Sequence, residues 1–325
     1  MRKVTGVILI LAPFLICSLV YGGHRVRSVD IAGREYLFLR DISGFYGMQY
    51  SANGSKARLQ SSYSSLSFQV NKRRATLNGV TTYLSEACAE WQNEILLSRK
   101  DFNLMLEPIL RTDTLNLKPI RRIVLDPGHG GKDNGTAPGG IKEKDINLKI
   151  ALRLGKLLRE MGYTVYFTRR DDRFLSLDQR TRYANRKNAD LFLSLHANYV
   201  ANSSVQGIET YILTPTGTPS TYSYGRKHER DLGNRYDKYN SRLAFEIQQN
   251  VVDVTSATDR GIKHADFAVL KDVSCPAALI ETGFLSNSEE KRKLRSNRYQ
   301  SKIATGIGRG IRLFQRALIK ADTHR

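Results

Sequence analysis

A chain of 325 residues is longer than one compact core usually needs, so two folded parts are expected. With 41% hydrophobic and 25% charged residues, the composition excludes a disordered or fibrous chain. A formal net charge of +20 calls for polyanionic surroundings, but the export signal at the N-terminus argues against nucleic acid and for wall polymers, lipid headgroups or peptide carboxylates. The basic residues are spread along the chain (Lys72-Arg73-Arg74, Arg121-Arg122, Arg169-Arg170, Lys291-Arg292-Lys293), which suits a solvated surface as well as a dedicated patch.

Met1-Arg2-Lys3, an apolar run over 4–20 and then Tyr21-Gly22-Gly23 give the order of a secretory signal peptide, with cleavage expected near Gly22 or Gly23. The alternative is an uncleaved membrane anchor, although the run is short for a span and contains Pro13. Ile16 ahead of Cys17 argues against a lipid anchor. Beyond the leader stand Cys88 and Cys275, with no CxxC spacing, which argues against a thiolate metal site. They are read as two buried thiols, a disulfide between them being the alternative.

Residues 24–117 read as a small α+β module. Alternating stretches over 57–60 and 65–70 predict strands, and Asn53-Gly54 and Asn78-Gly79 predict tight turns. Helices are expected over 39–47 and 98–108, the second capped by Ser98 or Asp101. The recurrence of "YLFLRDISGFYG" as "EILLSRKDFNLMLEPIL" resembles the small domain at the N-terminus of copper amine oxidases. Residues 111–118 are polar and read as a linker.

The texture then changes to alternating strands and helices over 118–320. Strands are expected at 123–125, 163–168, 191–195, 207–213, 267–270 and 277–281, and helices at 144–161, 179–187, 240–254 and 299–318. This is an α/β domain, a central mixed sheet with helices on both faces.

Polar residues recur where these strands end or helices begin, the edge at which open α/β sheets build their sites. His129 follows the first strand in Pro127-Gly-His-Gly-Gly131, Glu143 precedes the long helix, His196 closes the strand at 191–195 and Glu281 closes the one at 277–281. Two imidazoles and a carboxylate with one open position are a frequent ligand set for catalytic zinc, and a further carboxylate can move the proton of the attacking water. Taken singly, each has a plainer reading: a turn histidine, a helix N-terminal charge, a core histidine, a buried acid with a hidden partner.

The set gains its meaning from "IVLDPGHGGKDNGT", "GGIKEKDINLKIALRLGKLL", "YTVYFTRRDD", "ADLFLSLHAN" and "ALIETGFLSN", which together resemble the zinc-dependent N-acetylmuramoyl-L-alanine amidases of the family-3 type over residues 121–313. The resemblance implies that His129, Glu143 and His196 bind Zn2+, that Glu281 is the catalytic carboxylate, and that the substrate is the peptidoglycan amide between N-acetylmuramic acid and L-Ala. Export to the periplasm or cell wall follows. The alternatives are cleavage of another peptidoglycan amide, or a wall-binding scaffold without catalysis. A protein activator is left open as a partner, nucleic acid is not expected, membrane contact is expected only if the leader stays uncleaved, and a monomer is the default.

Secondary expectations complete the reading. Asp126 could orient a ligand imidazole or cap a turn, and Asn198 could touch substrate; His228 and His264 are read as structural. The polar stretch 214–240 is too short and glycine-broken for a long helix over the site, for which Arg226–Asp231 would be the candidate, and reads better as a substrate-contacting loop.

Overall fold

The computed structural model describes residues 17–21 and 24–323. Most of the expected leader lies outside the described residues, but Cys17–Tyr21 form a strand, β1, paired antiparallel with β2 (His24–Asp30). Among the described residues no helix is long and apolar enough to cross a membrane.

The N-terminal part continues with β3 (Glu35–Phe38), α1 (Leu39–Phe45), β4 (Gln49–Asn53), β5 (Lys56–Gln60), β6 (Ser65–Gln69), β7 (Arg74–Leu77), β8 (Val80–Tyr83), β9 (Ala89–Trp91) and β10 (Glu94–Ser98). The β7–β8 hairpin closes through Asn78 and Gly79, both at positive φ (48° and 84°), the two-residue turn whose twist matches paired strands. After β10 come α2 (Arg99–Asp101), a π-helical turn (Phe102–Leu106) and α3 (Glu107–Leu110). Ser98 caps this run, its hydroxyl accepting from Asp101 N at 3.0 Å. One five-stranded sheet has the order β1-β2-β3-β10-β9.

The second part contains β11 (Arg122–Pro127), α4 (Glu143–Glu160), β12 (Thr164–Phe167), α5 (Leu177–Arg186), β13 (Leu191–Asn198), β14 (Ile208–Leu213), α6 (Asp237–Thr255), β15 (Asp259–Ala265), α7 (Ala268–Lys271), β16 (Ala277–Phe284), α8 (Ser288–Arg295) and α9 (Asn297–Thr323). Strands β12, β11, β13 and β16 run parallel, β14 is antiparallel to β16, and β15 is parallel to β14, which makes the sheet mixed. One face packs Ile123, Leu125, Leu193 and Ile280 in the same core as residues of α4, α6 and α9; the other packs Val124, Phe192, Leu213 and Leu279 with Ala184 of α5 and Val269 of α7. Each fully buried aliphatic side chain contributes roughly 1.5–3 kcal/mol, and burial on both faces explains why these strands read as unbroken apolar runs.

The strand expected at 267–270 is instead the single turn α7, and the strand lies upstream at β15. A four-residue apolar run does not distinguish helix from strand by periodicity, whereas β15 was masked by its charges. The expected linker is packed, not free: Leu115 is buried and Asn116 N donates to Tyr239 Oη of α6 at 3.3 Å. Nor does the sheet stop at the expected boundary. Strands β8-β7-β6-β5-β4 of the N-terminal module continue the mixed sheet of the second part beyond β15 to a total of eleven strands, the joint being Ile262 against Thr82. Asp259 Oδ2 strengthens it by accepting from Thr81 N at 2.6 Å. Cys88 and Cys275 are buried free thiols, and burial pushes the Cys88 thiol up to about 12.

Candidate metal centre

His129, Glu143 and His196 converge at the C-terminal end of the parallel strands, with one ligand atom from each lying within 4.8 Å of the others. The loop after β11 brings in His129. Its backbone takes φ +62°, a conformation uncommon outside glycine, so its surroundings must hold it there. Two buried arginines do so: Arg169 donates to Pro127 O (2.9 Å) and Gly128 O (2.8 Å), and Arg180 donates to Pro127 O (3.0 Å) and His129 O (2.9 Å). Bare backbone is needed on both sides of the ring set. A Cβ on Gly128 would lie 2.2 Å from the His196 ring, and one on Gly135 would lie 2.4 Å from Glu143 Oε2.

Glu143 is the first residue of α4, not one ahead of it, so its carboxylate sits in the field of a helix N-terminus. Oε1 meets His196 Nδ1 at 2.9 Å and His129 Nε2 at 3.1 Å, and also accepts from Ala197 N and Asn147 Nδ2, each at 3.2 Å. Burial pushes this carboxyl up, but the two imidazoles outweigh burial and hold it well below the usual range. Burial likewise lowers His129, and Glu143 with Asp133 more than compensates.

The orienting carboxylate for His129 is Asp133, whose Oδ2 lies 2.8 Å from Nδ1. This corrects the expectation for Asp126. That residue is fully buried and bound to Thr168 Oγ1 (2.5 Å), Arg180 Nη1 (2.8 Å) and Ser194 Oγ (2.9 Å), tying β11 to β13 and α5. Asn198 ends β13 and accepts from Tyr199 N at 2.7 Å, a loop contact. His228 is exposed; His264 is buried, and neither ring nitrogen has a partner among the described residues.

Glu281 lies inside β16, between two strands that present acid–base groups at the same level. Its Cα partner on β13 is His196 and its Cα partner on β14 is Glu209. Cross-strand partners point to one face of a sheet, so the three form a row. Glu281 Oε2 is buried without a partner among the described residues. Burial, with the charges of Glu143 and Glu209, pushes this carboxyl well above the usual range. An orphaned carboxylate oxygen is costly unless a ligand or solvent completes it. The two ring nitrogens of His129 and His196 with the Glu143 carboxylate oxygen are a donor set that suits a divalent metal ion such as zinc, with the Glu281 carboxylate beside it.

No helix forms over Arg226–Asp231, as the short, glycine-broken stretch led one to expect. Residues 214–231 run without regular helix into a 3-10 turn at Leu232–Tyr236, and Lys227 holds the stretch through Asn234 Oδ1 (2.9 Å) and Asp231 Oδ2 (2.6 Å).

Residues 123–312 match the family model described as N-acetylmuramoyl-L-alanine amidase. The uncharacterised protein YqiI of Bacillus subtilis (strain 168) is 36% identical over 192 residues, covering 59% of this chain and 83% of YqiI. The N-acetylmuramoyl-L-alanine amidase AmiC of Escherichia coli O6:H1 is 34% identical over 218 residues, covering 59% of this chain and 52% of AmiC, so the chain spans about half of that relative. Among solved structures, the CwlD amidase from Clostridioides difficile in complex with the GerS lipoprotein is similar, with 31% identity and a TM-score of 0.51, covering 60% of this chain and 98% of that one. The family model takes in more than half the sequence and all of His129, Glu143, His196 and Glu281, and the chain belongs to the N-acetylmuramoyl-L-alanine amidase family.

Proposed function

We propose that this chain is an exported, zinc-dependent amidase that hydrolyses the bond between N-acetylmuramic acid and the L-Ala of the peptidoglycan stem peptide. The observation that supports it most is the convergence of His129, Glu143 and His196 beside the partnerless carboxylate of Glu281. In this reading His129 Nε2, His196 Nδ1 and the Glu143 carboxylate hold the ion, which when bound lowers the pKa of a water to about 7 and polarises the scissile carbonyl. Glu281 takes the proton of the attacking water and returns it to the leaving amine of L-Ala. Asp133 fixes the His129 ring, leaving Nε2 free to donate its lone pair. The expected leader supports a place in the periplasm or wall space, and the similar CwlD, solved with a lipoprotein, makes a protein partner part of this reading. The division into a module over 24–117 and a catalytic domain over 118–320 is likewise proposed.

The test is digestion of purified peptidoglycan by the zinc-loaded chain and by Glu281→Gln, with fragments identified by mass. Stem peptides beginning with L-Ala are expected from the wild type, and a rate lower by roughly 100- to 10,000-fold from the variant at undiminished zinc content. Equal release by both would remove Glu281 from the chemistry, and release of other fragments would change the bond.

A further inference from the structure

The segment between β14 and α6, residues 214–236, touches the N-terminal module with one set of contacts and the neighbourhood of Glu281 with another. On the module side, Arg73 Nη1 and Nη2 donate to Ser220 O (2.8 Å) and Pro219 O (3.0 Å), while its Nε donates to Leu84 O at 2.7 Å. Lys100 Nζ donates to Thr216 O at 2.6 Å. Arg226 reaches back to the module and grips Glu86 with two hydrogen bonds of 2.8 Å, the bidentate geometry that fixes orientation as well as charge.

Between these anchors the segment lies along β15. Thr221 N donates to His264 O, and His264 N donates to Thr221 Oγ1, both at 2.8 Å. The next residue, Tyr222, hydrogen-bonds through its hydroxyl to the ammonium of Lys263, whose side chain is only 1% exposed. Lys263 in turn is paired with Glu209. Arg260 Nε at 2.6 Å and Tyr211 Oη at 2.7 Å complete the Glu209 carboxylate, and Glu209 is the cross-strand partner of Glu281.

Two carboxylates side by side in a buried row repel one another unless one is neutralised in place. Lys263 and Arg260 neutralise Glu209, and Tyr222 Oη is a second hydrogen-bond partner of the Lys263 ammonium. Tyr222 is 69% exposed, so little packing holds it, whereas the chain on either side is anchored at Pro219, Ser220, Thr221 and Arg226. We propose that residues 214–236 are a strap through which the N-terminal module positions Lys263 and Glu209 beside Glu281, with Tyr222 as a positioning residue for the hydrolysis. The proposal rests on the amidase reading above.

The test uses the full chain carrying Arg226→Gln, Tyr222→Phe, or both. Each single change should lower kcat by about 10-fold with KM unchanged, less than the ~100-fold that a 1 Å misplacement can cost. Because both act through one path, the double variant should be no slower than the slower single one. Multiplying losses, or an unchanged kcat per folded molecule, would overturn the strap. Hydrogen exchange gives a readout independent of turnover: in Arg226→Gln the amides of Thr221 and His264 should exchange at least about 10-fold faster than in the wild type, and unchanged exchange would overturn the proposal. A wild type that releases no stem peptide refutes the amidase reading, while exchange in the same protein still decides the strap.

Discussion

Replacing Gly128 with alanine tests the site with one added methyl group. The new Cβ would stand 2.2 Å from His196 Cε1, 2.3 Å from Nε2 and 2.7 Å from Nδ1, where ordinary contact begins at 3.4 Å. The ring must therefore retreat by about 1.2 Å, the difference between 3.4 and 2.2 Å, or the loop must lift by as much. Metal–ligand distances tolerate only about 0.2 Å, so His196 is lost as a ligand or badly placed. Changes that merely disturb an outer-shell partner cost 10- to 100-fold in metal affinity, so at least about 100-fold is expected here. Gly128 is not at positive φ, so the effect is steric and not a backbone penalty. Overpacking of this kind costs about 1–3 kcal/mol, and the fold should survive. Competition with a chromogenic chelator reads zinc affinity, and circular dichroism reads the fold. A folded Gly128→Ala protein that binds zinc as tightly as the wild type would refute the placement of His196 in the metal centre.

Asp133→Asn should weaken zinc binding by about 10- to 100-fold in the same assay, because it removes the carboxylate that orients His129; unchanged affinity would count against that role. Asp126→Asn should act on stability, with a loss of about 3–5 kcal/mol in urea unfolding and zinc affinity kept in the folded protein, since its partner Arg180 is only 3% exposed. Asp237 is pushed by burial up to about 7 from an ordinary 3.8. Its folded form therefore holds a proton that the unfolded form has lost. The stability it contributes is full below pH 4 and disappears as pH rises through 7. Asp237→Asn, which does not ionise, should gain about 1–2 kcal/mol on the wild type between pH 4 and pH 8 once partial exposure is allowed for, and a pH-independent difference would contradict it.

Two residues of the candidate site were legible because buried parallel strands leave long apolar runs, and a polar residue ending such a run is conspicuous: His196 after Leu191–Leu195, Glu281 after Ala277–Ile280. Their plainer readings gave way only when taken together. Arg169 and Arg180 were not legible. Both sit among charged neighbours, where an arginine reads as solvated, and both are buried because the carbonyls of the His129 loop require donors. Asp133 was hidden for a similar reason, one more polar residue in a glycine-rich loop. β15 escaped notice because Arg260 and Lys263 interrupt its apolar pattern, and the burial of Lys263 makes sense only with Glu209 in place on the next strand.

The shared sheet bears on how the protein can be cut. β15 would be an outermost strand of the catalytic part, and β8 covers it through Ile262 and Thr82, aided by the Asp259 carboxylate on Thr81 N. A fragment beginning near residue 118 would bare that strand's hydrogen-bonding edge and, with it, Gly261, where no side chain shields the backbone. Open edges of this kind recruit other chains. The N-terminal module covers that edge, and a truncated chain is expected to come out of expression as oligomer or precipitate in proportion to its concentration, whatever its zinc content.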